Sequence, residues 1–397
     1  MIKIGVKYLG ANVFDSAIDR VVQVYEMGHR IVVSVSGGKD SCCAMEVTLI
    51  AAQMTDNLPV DIIHREEEII YPGTREYLMR VAERDEVNMH WMVAHQPTVN
   101  AFNREHPYWW VMDPTLEPSQ WVTEPPPYAY DIPDLEIGGM VRPSRFPPPP
   151  GKELINVVAL RVRESNTRRA GLFSAGGALC GPFANPNTDL ARGLRPIYDW
   201  EDGDIWKAIH DNGWDYNDAY DVMHRKGIER SRLRIGPPSM NPASIGHLPM
   251  ASQAWPYWWD KVCARLPGIR AAAQFGKRVV EPFHHVGETW EQTYQRECID
   301  QAPNWIAERS SIVRDLVLEG HAKHSTQPLP ELDRCRLCPT FGTNWKKMAQ
   351  IMYLGDPISQ KTPLPFLEPE EMRPGAGYWW GREPRHLKAK REALAQV

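Results

Sequence analysis

Two hydrophobic rhythms alternate through the first 95 residues. Val13, Ile18, Val21, Val22, Val24 and Met27 recur at helical spacing and Gly28 follows, so residues 12 to 28 predict a helix with a glycine stop. The run Ile31-Val32-Val33-Ser34-Val35-Ser36 is short and β-branched, which predicts a buried strand. Gly37-Gly38 interrupt it, and Asp40-Ser41 open a second apolar-periodic helix that continues to Ala52. Further strands are predicted over 59–64 and 89–95, with a helix over 74–85 between them. Strands alternating with helices predict an α/β fold, a doubly wound parallel sheet with helices on both faces.

The rhythm then stops. Residues 97–150 are rich in Pro, Trp and Tyr, contain the run Pro147 to Pro150, and keep neither period. A long aperiodic stretch inside a domain reads as a functional insertion. Its aromatics Tyr108, Trp109, Trp110 and Trp121 need a surface to bury against. The expectation is a lid over the cleft that an α/β sheet leaves open at the carboxyl ends of its strands; the competing reading is that the segment packs against the helical C-terminal domain or forms a dimer contact. A strand returns at 155–160, and residues 195–213 predict a loop followed by a helix. Beyond about residue 240 the pattern is mostly helical, with aromatic clusters at Trp255 to Trp259 and Tyr378 to Trp380. The expected organisation is therefore an α/β domain over 1–240, carrying the insertion 97–150, and a mainly helical domain over 241–397.

Composition narrows this picture modestly. Hydrophobic residues make up 43% of the 397, which suits a packed core. No apolar run reaches the ~18 residues of a membrane helix and no signal-like start is evident, so a cytoplasmic protein without membrane contact is expected. The net charge of −5 gives no reason to expect non-specific nucleic-acid binding. Seven unevenly spaced cysteines do not read as a disulfide framework.

The strongest chemical signal is Ser36-Gly37-Gly38-Lys39-Asp40-Ser41, placed between a strand and a helix. Two glycines let backbone approach a phosphate, successive N–H groups form an anion nest, and the helix adds its positive end. Lys39 adds a full charge and Ser41 a hydroxyl. Asp40 separates the lysine from the serine, so this is not a Walker A loop, in which Gly-Lys runs directly into Ser or Thr. A second motif, Ala159-Leu160-Arg161-Val162-Arg163-Glu164-Ser165-Asn166-Thr167-Arg168-Arg169, places Arg161 at a strand end and Arg168 farther on. Guanidinium groups suit bidentate phosphate or sulfate contacts, and Glu164 would hold one of them in place. Cys335-Arg336-Leu337-Cys338-Pro339 forms a Cys-x-x-Cys turn; with Cys263 and Cys298, four thiolates would hold zinc or an iron–sulfur cluster. Cys42 and Cys43, on the helix after the glycines, read as core. The basic run 223–234 would meet a nucleotide's phosphate or a nucleic acid, or be a solvated face.

The first motif resembles the PP-motif of the PP-loop ATP pyrophosphatase superfamily. The second is similar to the Gly-Leu-Arg-x-x-Glu-Ser-x-x-Arg signature of its phosphoadenosine-phosphosulfate (PAPS) reductase, or CysH-like, branch. Arg195-Pro196-Ile197-Tyr198-Asp199-Trp200 through Trp206, and Asp215 to Asp221, resemble further segments of that family. In these, Pro196, Trp200, Asp204 and Trp206 read as a turn, a cap and two packing aromatics. Residues 66–74 resemble the family's segment after the second strand, with Glu66 where an Asp is usual. The Trp-rich stretch from His90 to Pro114 resembles larger prophage and mobile-element CysH-like proteins.

The resemblance implies an adenine nucleotide alpha hydrolase-like fold that binds ATP or PAPS with Mg²⁺ and cleaves ATP between the α and β phosphates. It implies nucleotide contacts from Ser36, Gly37, Gly38, Lys39, Asp40, Ser41, Glu66, Arg161, Glu164, Ser165 and Arg168, with Lys39, Arg161 and Arg168 catalytic. Two other readings stand beside it. An authentic PAPS or adenylylsulfate reductase needs a nucleophilic thiol, yet no cysteine follows Cys338, and Arg234 to Pro238 lacks the cluster-binding cysteine pair. A nucleotide-binding accessory protein of a mobile element or defence system, for example a CRISPR-associated one, would act with nucleic acid or a nucleoprotein complex. Either would be compatible with a homodimer.

Overall fold

β1 (Arg30–Ser34) lies inside a six-stranded sheet in the computed structural model, which describes residues 10–132, 140–163, 191–238 and 242–367. Its neighbours are β2 (Val60–Arg65) on one side and β7 (Leu154–Val157) on the other. β3 (Val87–Val93) and the short β6 (Tyr130–Asp131) extend one flank, and β8 (Arg192–Leu194) the other, giving the order β6-β3-β2-β1-β7-β8. Every pairing in this sheet is parallel. The α/β class with a parallel sheet is thus the observed one.

The strand composition explains the placement. Ile31, Val33 and Val35 enter one core cluster, while Val32, on the opposite face of the pleat, is also fully buried. A strand covered on both faces must be apolar where it is covered, as β1 is over Ile31, Val32 and Val33, with Arg30 and Ser34 half-buried at its ends. Helix α1 (Val13–Glu26) starts where the Asn12 side chain accepts the Phe14 N–H at 3.0 Å. It packs on α2 (Lys39–Met54), which in turn packs on α4 (Asp202–Asn212); α3 (Thr74–Ala82) packs on β3. Arg20 of α1 grips Asp199 through both carboxylate oxygens at 2.9 and 2.7 Å, and so ties the segment before α4 to α1.

The chain forms two compact units: residues 1–94 with 125–236, and residues 95–124 with 237–397. The stretch read as one insertion over 97–150 is therefore divided between them. It also contains regular structure that its composition hid, because β4 (Gln96–Val99) and β5 (Tyr108–Val111) pair antiparallel. The expected lid aromatics bury within the second unit. The Tyr108 hydroxyl donates to the Leu367 carbonyl at 2.8 Å. Arg265, at the end of α7 (Pro256–Arg265), covers the Trp109 ring at 5.6 Å and donates to the Trp110 carbonyl at 2.7 Å. Lys261 donates to the Trp121 carbonyl at 3.3 Å. Within the second unit, helix α7 and the chain near Leu367 meet these residues.

The second unit's other elements of use below are α9 (Trp290–Gln295), α10 (Asn304–Ala322) and α11 (Trp345–Met352). α5 (Ala219–Arg225) belongs to the first unit, and the short α6 (Leu248–Ala254) and α8 (Ile269–Phe275) to the second. No described helix is long and apolar enough to cross a membrane.

Candidate functional site

The strand order locates the site before any side chain is considered. From β1 the chain moves to β2 and β3 on one side, and β7 is added on the other, so the connections leaving β1 and β7 diverge. Open α/β sheets have their ligand crevice at this point, outside the carboxyl ends. The loop after β1 is Val35 to Gly38, and the loop after β7 carries Arg161.

Gly37 has φ +77°, and a Cβ there would lie 2.8 Å from Thr74 Cγ2, so both conformation and space require glycine. Gly38 is the cap of α2 with φ −80°, and a Cβ on it would meet nothing nearer than Ser36 Oγ at 3.4 Å. Nothing in the protein itself demands glycine there. Ser41 folds the loop back on itself: its hydroxyl donates to the Gly38 carbonyl at 2.9 Å and accepts the Ser36 N–H at 3.2 Å.

Lys39 and Arg161 are both about 5% exposed and converge on one carboxylate. Lys39 Nζ lies 3.1 Å from Asp40 Oδ2, and Arg161 Nε lies 2.6 Å from Asp40 Oδ1. The second contact is off the line of a hydrogen bond, and neither of its two atoms has another hydrogen-bond partner. Asp202, at the start of α4, reaches Lys39 at 3.3 Å and Arg161 at 3.6 Å. Among the described residues, two buried cations are thus balanced by two acidic groups, and the Arg161 guanidinium makes a long 3.5 Å hydrogen bond to the Trp200 carbonyl.

Three residues of this site went unassigned in the sequence. Asp202 lies between Trp200 and Asp204, two residues read as structural. Trp200 is fully buried and donates to the Val13 carbonyl at 3.1 Å, and Asp204 caps α4 through the Glu201 N–H at 2.7 Å. Asn217 is fully buried; its amide donates to the Gly37 carbonyl at 3.2 Å and to Thr74 Oγ1 at 2.9 Å, and its oxygen accepts the Ala219 N–H at 2.9 Å. The Tyr220 hydroxyl accepts the Lys39 N–H at 2.8 Å. Tyr220 therefore already occupies one of the loop's N–H groups. Both residues lie in the 215–221 segment whose resemblance was noted, which was the available signal.

Glu66, expected as a nucleotide contact, is engaged by hydrogen bonds from within the protein. Its side chain is enclosed, and its two oxygens take three donors: the N–H groups of Glu67 at 3.1 Å and Glu68 at 2.9 Å, and Trp91 Nε1 at 3.0 Å. The carboxylate holds the turn after β2. Glu66→Ala is expected to cost about 2–3 kcal/mol in stability by leaving these donors buried and unpaired, with ATP affinity unchanged in calorimetry. Glu164, Ser165, Arg168 and Cys180 lie outside the described residues, as do Tyr378 to Trp380.

The proposed four-thiolate set does not come together, and a different group of side chains does. Cys298 is fully buried in the core of the second unit, its sulfur 3.7 Å from the Ala349 carbonyl, and burial pushes its thiol up to about 12. Cys263 sits on α7, and neither joins the Cys335–Cys338 turn. Instead His321 and His324, at the end of α10 and just beyond it, meet that turn, and one ligand atom from each of the four residues lies within 4.8 Å of the others. The His-x-x-His spacing beside a helix end was the missed signal. Cys42 and Cys43 are buried core residues, as read; burial pushes the Cys42 thiol up to about 12 and Cys43 well above its ordinary range.

No protein-family model matches the chain. An uncharacterised protein of Escherichia coli K12, YbdN, is 23% identical over 376 residues, spanning 88% of this chain and 89% of that protein. Among solved structures, Candida glabrata FMN adenylyltransferase aligns at TM-score 0.32 and 11% identity, over 55% of this chain and 62% of its own. The PAPS reductase of Candida auris, in a phosphate complex, aligns at TM-score 0.31 and 13% identity, over 59% and 98%. Yeast FAD synthetase with FAD aligns at 0.28 and 14%, over 51% and 60%. At such scores none of the three carries an argument about this chain, whose α/β class stands on its own strand order.

Proposed function

We propose that this chain is an enzyme that binds ATP, or a related adenine nucleotide, at the loop after β1 and cleaves it between the α and β phosphates, releasing pyrophosphate. The observation that carries the reading is the pair of buried cations, Lys39 and Arg161, at the strand-order switch beside the N-terminus of the 16-residue α2. A buried guanidinium with one long hydrogen bond, one misaligned ion pair to Asp40 and one long ion pair to Asp202 is under-satisfied, and a phosphate oxygen would complete it. The backbone of Gly37 and Gly38 offers close approach, and Lys39 would hold the leaving pyrophosphate while Arg161 offsets charge at the adenylyl group. Ser36, Ser41 and Asp40 shape the loop, and Glu164, Ser165 and Arg168 would add contacts from the same motif.

The residues fit Mg²⁺ as well. Lys39 and Arg161 are already balanced by Asp40 and Asp202, so a triphosphate adds uncompensated negative charge. Asp40 and Asp202 are hard oxygen donors of the kind Mg²⁺ accepts beside phosphates. When bound, the ion would neutralise phosphate charge and polarise the oxygens at the scissile bond. The same cradle would take PAPS, but a reductase would need a reactive thiol here, and Cys42 and Cys43 are buried with raised pKa. The exposed basic residues of 223–234 (His224, Arg225, Lys226, Arg230, Arg232 and Arg234) support a second reading in which a nucleic acid is the partner. A cytoplasmic location, and a homodimer, remain part of this proposal.

Calorimetry with ATP, adenylylsulfate and PAPS, together with a pyrophosphate-release assay, tests the reading. Binding of ATP with magnesium-dependent pyrophosphate release is expected; PAPS binding with sulfite formation would replace it. Gly38→Ala separates fold from function. The added methyl has room in the protein itself, so melting is expected to stay unchanged, while ATP affinity falls at least about tenfold because a side chain blocks phosphate from the backbone. Unchanged affinity would remove the loop from the phosphate site.

A further inference from the structure

We propose that His321, His324, Cys335 and Cys338 form a closed, structural zinc site that pins the irregular chain between α10 and α11. This rests on residues of the second unit alone and is independent of the nucleotide reading.

Three of the nitrogen-to-sulfur distances are close to those around one tetrahedral ion. His321 Nδ1 lies 3.1 Å from Cys338 Sγ, and His324 Nε2 lies 3.4 Å from Cys335 Sγ and 3.6 Å from Cys338 Sγ. Bonds of about 2.3 Å to sulfur and about 2.0 Å to nitrogen, at tetrahedral angles, put neighbouring nitrogen and sulfur ligands about 3.6 Å apart. A two-iron centre with this ligand set holds its imidazoles on one iron and its thiolates on the other, which would separate the nitrogens from the sulfurs. Here they interleave.

The surroundings prepare the ligands. His321 is buried, and its other ring nitrogen, Nε2, faces the Gln327 carbonyl at 3.0 Å. A proton on Nε2 satisfies that carbonyl and leaves Nδ1 with a bare lone pair toward the sulfurs, as metal-bound histidines are oriented. The sequence supports the geometry: a Cys-x-x-Cys turn presents two thiolates from one loop, and a helix end presents two imidazoles three residues apart.

The site also has structural work to do. Residues 323–344 contain no helix or strand, yet Cys338 and Leu329 belong to the unit's core, with Cys335 packed against it. Gly342 sits so near α10 that a Cβ on it would fall 2.3 Å from Val317 Cγ2. A metal bridging the end of α10 to the turn would hold this segment in place. With four protein ligands, no position is left for a substrate.

The full-length chain, purified under reducing conditions without chelators, tests this by elemental analysis and by cobalt titration of the apoprotein. One zinc per chain is expected, with cobalt giving the visible bands of a tetrahedral thiolate site. His324→Ala, at an exposed ligand, and Cys335→Ser should each cut zinc content by half or more, whereas Cys263→Ser should keep it. Removing zinc with a chelator should lower the melting temperature by several degrees, and zinc should restore it. Folded, reduced protein with neither stoichiometric zinc nor the cobalt bands would overturn the proposal. So would iron with acid-labile sulfide in place of zinc, or zinc retained in His324→Ala and Cys335→Ser alike.

Discussion

The Lys39→Ala/Arg161→Ala variant is expected to lose ATP affinity by at least about 100-fold, since each cation contributes a charged phosphate contact of about 1.5–3 kcal/mol. Each single variant should lose about tenfold or more. The two effects will not add simply, because both cations lean on Asp40 at 3.1 and 2.6 Å, and removing one alters the charge felt by the other. Removal of both leaves Asp40 and Asp202 facing the incoming phosphates, and repulsion deepens the loss. Stability should fall as well, because Asp40 and Asp202 are left without the cations that balanced them. Calorimetric titration, with circular dichroism to verify the fold, measures both. Affinity within threefold of the starting protein in the double variant would end the assignment of this cluster to phosphate.

Asn217→Ala is expected to destabilise the protein by about 2–4 kcal/mol, because it orphans three buried polar groups. These are the Gly37 carbonyl, the Thr74 hydroxyl and the Ala219 N–H. The first unit should lose cooperativity at the loop, since Asn217 is the side chain that joins the turn after β1 to the starts of α3 and α5. Gly73, just before α3, is closed in by the same group: a Cβ there would lie 3.0 Å from the Ala219 nitrogen and 3.3 Å from Asn217 Oδ1. Where the variant still folds, ATP binding should weaken as well, although Asn217 is expected to touch no ligand. Denaturant unfolding reads the stability, and hydrogen exchange at residues 36–41 reads the loop. A loss under 0.5 kcal/mol, with unchanged exchange there, would show that the loop holds its shape without Asn217.

Local patterns carried much of this protein. The β-branched run after Gly28 predicted β1, the two glycines predicted the turn into α2, and the alternation of strand and helix predicted a parallel sheet. These succeed because a strand buried on both faces must be apolar where it is covered, and a left-handed turn such as that at Gly37 needs glycine. Composition misled where it was the only guide. The Trp- and Pro-rich stretch hid the β4–β5 pair, because ladder bonds are made by backbone and strands of four residues are too short to show a period.

What the chain could not declare locally was partnership across distance. Glu66 stood at a ligand position by resemblance, yet Trp91 from β3 claims its carboxylate. Asp202 and Asn217 carried no assignment, and only folding brings them to Lys39 and Gly37, which lie 163 and 180 positions away along the chain. The proposed metal-ligand set shows the same division. Cys335 and Cys338 were legible as a pair because their spacing builds a turn by itself. Their companions depended on which helix end packed beside that turn, and it was α10, with His321 and His324, rather than the segments bearing Cys263 and Cys298. Spacing within a turn is a property of the backbone; convergence of ligands from separate elements is a property of packing, and only the tertiary structure decides it.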